Sequence, residues 1–356
     1  MFGTMHPIAF DRRLRAVAHL FFLVLLLLIS VVVSAAEHVT SEQVMLAERP
    51  SKNGEPTEIE VGIFLLDIDE IDDVRQRFSV DLFIVARWHD HRFALPEDER
   101  NGQMRFMSRE NIWNPKVLII NDRGLTKHLR EGVSVDDLGT VMYKNRLSGQ
   151  LSVNLEFREF PFDVQRLPIE IMSYESTSDE LRFTPHPGVA NLESSFSIEG
   201  WSLKELEPTL DDFIVPGEGT RLPRITYMVE AARDSDYYAL TMLVPMSLII
   251  FMAWTVFWLQ PHIVPPRIAI STASIFSLIA LGVSIRLGLP KISYLTKADI
   301  FVLGCTLMVF LALGMAVIGS RWANSDRMEQ ALKANAILRW VYAAMFIVIA
   351  LLAFLH

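Results

Sequence analysis

The chain has 356 residues, 51% apolar and 21% charged, with a formal net charge of −9 and a mean hydropathy of +0.29. A soluble domain of this size rarely has a positive mean hydropathy, so the apolar residues must be gathered into segments; a purely soluble enzyme and a disordered chain are excluded. The acidic balance also argues against nucleic acid as a partner, because binding phosphates needs clustered Lys and Arg.

The first apolar run is Ala16 to Val33. Arg12, Arg13 and Arg15 precede it and Ser34-Ala35-Ala36 follows, the pattern of a secretory signal peptide over residues 1–36. An uncleaved anchor helix is the alternative, since the run approaches spanning length. Both readings place the following segment on the outer side of the membrane.

Residues 37–235 are of ordinary polar composition. Short runs with alternation or β-branched enrichment predict strands at Glu58–Leu66, Phe78–Trp88, Lys116–Asn121, Gln150–Phe157, Arg166–Ser173 and Arg224–Ala231. A short helix near Val39–Ala47 is the only helical competitor. Many short strands with turns between them indicate an all-β, immunoglobulin-like sandwich.

Four more apolar segments lie in residues 236–356 and predict helices at about 239–259, 267–287, 298–319 and 336–355, each long enough to span a bilayer. The loop 320–335, with Arg321, Arg327 and Lys333 against Asp326 and Glu329, then falls on the inner side, where basic loops belong. The only cysteine, Cys305, lies within an apolar segment, so no intrachain disulfide is possible.

No nucleotide-binding, zinc-protease, nucleophile-elbow or CxxC motif is present, and no cofactor or enzymatic activity is expected. His89-Asp90-His91 could offer two imidazoles to a metal, and the run Asp67, Asp69, Glu70, Asp72, Asp73 could hold a cation. A solvated strand face and a charged loop at a sheet edge are the favoured readings, and no metal site is expected.

Phe160-Pro161-Phe162-Asp163-Val164-Gln165 is similar to the signature of pentameric ligand-gated ion channels, the Cys-loop receptor superfamily. Trp88-His89-Asp90-His91-Arg92 resembles the family's Trp-x-Asp-x-Arg strand, and Trp113-Asn114-Pro115 its Trp-x-Pro segment. Arg233, Tyr237-Tyr238, Pro245, Trp254 and Phe257-Trp258 look like the entry to the first helix; Pro266-Arg267 and Leu289 to Tyr294 flank the second. Val153 and Leu167 stand where the loop disulfide would be, which resembles the prokaryotic branch.

The resemblance implies a homo-pentamer in a bacterial inner membrane, with the N-terminal domain in the periplasm and the second helix of each subunit lining a pore. Pro265, Arg267, Ala269, Ala273, Phe276, Ala280 and Val283 are then the expected pore residues, with Ser271, Ser274 and Ser277 off the stripe. Packing of that stripe against neighbouring helices is the alternative. Prolines replace the glutamate of cation channels at the inner mouth, which implies chloride as the favoured permeant ion. A cation channel of the same family and a non-conducting sensor are the rival readings.

Phe83 and Tyr174 match two positions of the family's aromatic agonist box, whereas Leu118-Ile119-Ile120, Pro216–Pro223 and Val85 lack other expected groups. The agonist is accordingly an unidentified small molecule or protons. Asp73, Arg233, the Phe160–Gln165 loop (Phe160, Pro161, Phe162, Asp163) and Lys291 match the parts that couple the two domains.

Overall fold

The computed structural model describes residues 46–50, 54–186, 196–287, 291–325 and 327–354. The expected signal peptide, most of the short helix near Val39–Ala47, and Leu289-Pro290 lie outside the described residues.

The N-terminal domain is a two-sheet sandwich. One sheet holds β1 (Thr57–Asp72), β2 (Arg77–His89), β3 (Arg105–Ser108), β5 (Thr126–Lys127), β6 (Gly132–Val135), β7 (Thr140–Ser152) and β9 (Leu181–Pro185), in the order β3-β6-β7-β2-β1-β9 with β5 on β7. The other holds β4 (Val117–Ile119), β8 (Val164–Ser173), β10 (Trp201–Ile214) and β11 (Arg221–Arg233), in the order β10-β11-β8-β4.

Strict alternation builds the core. On β2 every second residue from Phe78 to Trp88 is buried, and Leu167, Ile169 and Ile171 of β8 and Ile225, Tyr227 and Val229 of β11 belong to the same core. The Tyr227 hydroxyl donates to the Val61 carbonyl at 2.6 Å, tying the sheets together with a satisfied polar contact.

One predicted strand overruns its element, and β3, β5, β6, most of β7, β9 and β10 were not among the predicted strands. Gln150–Phe157 is strand only over Gln150–Ser152, the end of β7; the alternate burial of Val153, Leu155 and Phe157 belongs to a packed loop beyond the ladder. β10 was not predicted, because Lys204, Glu205, Asp211 and Asp212 dilute its pattern; it is the edge strand of its sheet, where charges discourage further pairing.

Four helices follow: α1 (Ser235–Trp258), α2 (Val264–Leu287), α3 (Lys297–Ala323) and α4 (Met328–Phe354), each long and apolar enough to cross a membrane. α1 passes through a π-helical stretch at Ala239–Leu243 and closes in a 3-10 turn at Thr255–Trp258. Thr296 and Asp299 cap α3 reciprocally.

The loop expected at 320–335 shrinks to the few residues between Ala323 and Met328. Its ends, such as Met328 to Lys333, are good helix formers, and apolar content alone could not see them. Cys305 is a free, fully buried thiol.

Candidate functional site: the domain boundary and the exposed face of α2

β11 ends on Arg233, where the β domain meets the helices. Its guanidinium forks between two carboxylates. Nη1 and Nη2 donate to Asp73 at 2.8 and 3.0 Å, and Nε and Nη2 donate to Asp163 at 2.8 and 3.1 Å. Trp201, Phe160 and Tyr238 wall the charge with ring centroids 4.1, 5.2 and 5.6 Å away.

The electrostatics are those of a desolvated fork. Burial raises the Asp73 carboxyl above its ordinary value, against the pull of Arg233. The two carboxylates, through hydrogen bonds and charge, hold Arg233 protonated despite its own burial. Removing one member of such a group costs about 3–5 kcal/mol, because the others stay buried and unpaired.

The loop after β7 carries this group onto the helices. The Phe157 N–H donates to the Tyr294 hydroxyl at 3.0 Å, and the Lys297 and Ala298 N–H groups donate to the Arg158 and Phe160 carbonyls at 2.9 and 3.2 Å. Lys297 pairs with Glu159. Phe160, joined to Pro161 by a cis peptide, packs edge-on to Tyr238, and Phe162 packs on Phe354 near the end of α4. Gln165 donates to Asp163 and to the Glu156 carbonyl, which fixes the loop from within.

Lys291 is not among these contacts. It is exposed and lines a recess of about 390 Å³ with Arg286, Ile292, Tyr294 and Asp299. Of the expected Lys291 to Tyr294 linker, Tyr294 and not Lys291 meets the loop, and Tyr238 of the Tyr237-Tyr238 pair joins the wall of Arg233; Lys297, Glu159 and Trp201 were not foreseen. The Phe160–Gln165 motif itself pointed to the region.

On α2, Arg267, Ser271, Ser274 and Leu278 are buried against the subunit's other helices. Pro265, Ala269, Ala273, Phe276, Ala280 and Val283 are exposed, Phe276 by 68%, so this stripe is free of the subunit's own helices. Ser277 is exposed beside it.

Arg267 departs from the expected stripe. It is two residues from Ala269, roughly 200° around the helix, and its side chain is fully buried inside the bundle. Arg286, at the end of α2 nearest the β domain, pairs with Asp299 at 3.2 Å.

Residues 37–233 match the neurotransmitter-gated ion-channel ligand binding domain, and residues 242–351 match the neurotransmitter-gated ion-channel transmembrane region. The chain belongs to the neurotransmitter-gated ion-channel family. Members are pentameric Cys-loop receptors, so the sandwich is an extracellular domain and the protein crosses the membrane several times. With one cysteine, this member has no disulfide in the loop that names the superfamily.

The two agonist-box candidates of this channel-family chain lie on different sheets. Phe83 is on β2, and Tyr174, half exposed, follows β8. One subunit does not bring them together. The Lys144 ammonium sits 4.5 Å over the Phe83 ring and already uses that π face. Asp90 is fully buried and accepts from the Arg92 backbone and guanidinium, so the middle of His89-Asp90-His91 is structural. The acidic run is strand rather than loop for most of its length: Asp67, Asp69, Glu70 and Asp72 lie in β1, with Asp67 engaged by Ser197 and Asp72 by Arg75.

Proposed function

We propose that the chain forms a homopentameric, anion-selective channel of a bacterial inner membrane, with its extracellular domain in the periplasm and its gate opened from that side. The observation that carries selectivity is the charge inventory of the pore helix and its approach. From Trp254 to Leu287 there is no Asp or Glu, and the charged residues are Arg267 and Arg286. Five α2 N-termini add partial positive charge at the end remote from the β domain.

In the pentamer the exposed stripe of α2 lines the lumen. Pro265 and Ala269 stand at the inner mouth, Ala273 and Ala280 leave wider sections, and Val283 lies toward the outer mouth. Five Phe276 rings make an apolar constriction that closes by dewetting. Arg267 acts from behind this wall rather than within it. Asp73, Phe160, Pro161, Phe162, Asp163 and Arg233 transmit the stimulus, joined by Tyr294 and Lys297; Lys291 serves the recess at the outer end.

The stimulus is a small molecule or protons at the subunit boundary, where Phe83 of one subunit approaches Tyr174 of the next. Lys144 over Phe83 disfavours a cationic amine there. Purified protein in planar bilayers under a KCl gradient, with stepped pH, tests the proposal. Reversal near the chloride potential is expected. Reversal near the potassium potential overturns anion selectivity, and silence at every pH favours an unidentified agonist or a non-conducting sensor.

A further inference from the structure

An ionisable side chain inside a membrane bundle is costly and normally finds an opposite charge. Arg267 does not. It is 0% exposed within a single subunit, so assembly cannot uncover it. Nη2 donates to Asn335 Oδ1 at 3.1 Å, while Nε and Nη1 have no partner.

The pocket is built around this charge. Asn335, itself only 3% exposed, donates through Nδ2 to the Leu259 carbonyl at 3.2 Å, so its amide is oriented with the oxygen toward Arg267. A Cβ at Gly319 would lie 3.5 Å from Nη1, so α3 brings bare backbone against the guanidinium. The next cation along α4, Arg339, donates to the Phe257 carbonyl at 3.0 Å and stacks 4.4 Å over Trp258. No carboxylate pairs with either arginine among the described residues.

We infer that Asn335, on the last helix and away from the lumen, bears on charge selectivity through its neutrality: the partner beside Arg267 is an uncharged amide rather than a carboxylate, so the guanidinium charge behind the pore wall is left uncancelled. In a pentamer five such charges surround the inner mouth, where low-dielectric walls focus their field into the lumen. An arginine in the lumen would obstruct the narrow section and be screened by water. The inference rests on the channel reading above, but it concerns a shift relative to the wild-type channel, whatever ion that channel prefers.

The test is Asn335→Asp in reconstituted bilayers under a KCl gradient, beside Asn335→Leu and Arg267→Gln. Asn335→Asp keeps an acceptor for Nη2 and adds a negative charge in nearly the same volume. We expect the chloride-to-potassium permeability ratio to fall by about tenfold, the scale of one charge acting through partly shielded protein. Asn335→Leu, which changes no charge, should keep the wild-type reversal potential, and Arg267→Gln should shift it as Asn335→Asp does.

An unchanged reversal potential in Asn335→Asp overturns the inference, as does an equal shift in Asn335→Leu. If Asn335→Asp does not assemble, Arg267→Gln decides: wild-type selectivity in that variant overturns it, and loss of selectivity supports it. Failure of the anion reading itself would show separately, as a wild-type reversal near the potassium potential.

Discussion

Two buried arginines mark the two ends of the helical bundle, and they are handled in opposite ways. Arg233, at the domain boundary, is forked between Asp73 and Asp163 and walled by three aromatic rings. Arg267, at the remote end of α2, has a single neutral partner. A compensated cation is a mechanical part: its value lies in directional bonds that join a turn, a loop and the entry to a helix. An uncompensated cation is a source of field, useful at a distance because nothing nearby cancels it.

The sharpest way to break this contrast is to remove the compensated cation. Arg233→Ala strands Asp73 and Asp163 beside each other, and Asp73→Ala leaves the arginine held from one side. Either should abolish gated current while pentamers still form, checked by size-exclusion chromatography alongside bilayer recording. Normal currents from both would remove the fork from the mechanism.

Phe276→Ala should come next in effect. It removes five rings from the expected constriction, so a leak without stimulus is expected, of the order of the stimulated wild-type current. A silent Phe276→Ala channel that still opens normally with stimulus would place the gate elsewhere on α2.

A smaller effect is expected where the loop after β7 meets α3. Lys297→Ala removes the partner of Glu159 but leaves the backbone bonds from Lys297 and Ala298 to Arg158 and Phe160. The stimulus needed for half-maximal current should change by a few-fold, and Glu159→Ala should reproduce the change. Additive effects of the two substitutions would show that the pair is not a unit.

The smallest expected effect is a pH dependence. Burial raises the Asp73 carboxyl above its ordinary value, so folding favours its protonated form. The stability this group contributes is fully present below the ordinary carboxylate value and is lost as pH rises through the raised one. Relative to Asp73→Asn, the wild type should therefore gain stability on acidification through that window. Thermal unfolding of the two proteins at stepped pH measures the difference.

The sandwich was readable where burial alternates without interruption. β2 shows this from Phe78 to Trp88, and β8 and β11 nearly so. β10 was hidden because an edge strand need not alternate, and Val153 to Phe157 misled because a packed loop can. The four spans were plain in composition, yet the polar helical ends beside Asn324 were not, since hydropathy marks only what lies in hydrocarbon.

The functional parts divide in the same way. Arg233 and Asp73 were found through resemblance to a family pattern, and the fork to Asp163 needed the fold. The stripe from Ala269 to Val283 follows from helical spacing. Arg267 was assigned to that stripe by its motif, although two residues cannot turn it onto the same face. Its partner lies 68 residues away in a segment read as loop, so no local pattern could have joined them.

The solitary thiol has a practical consequence. Cys305 is the only cysteine in the chain and is sealed in the bundle, so water-borne thiol reagents have little to react with. The native protein is thus already a blank background for site-specific labels. A cysteine introduced at Lys291 or Tyr174 would carry a fluorophore or spin label without prior removal of other thiols, and distances between subunits could be followed as the protein responds.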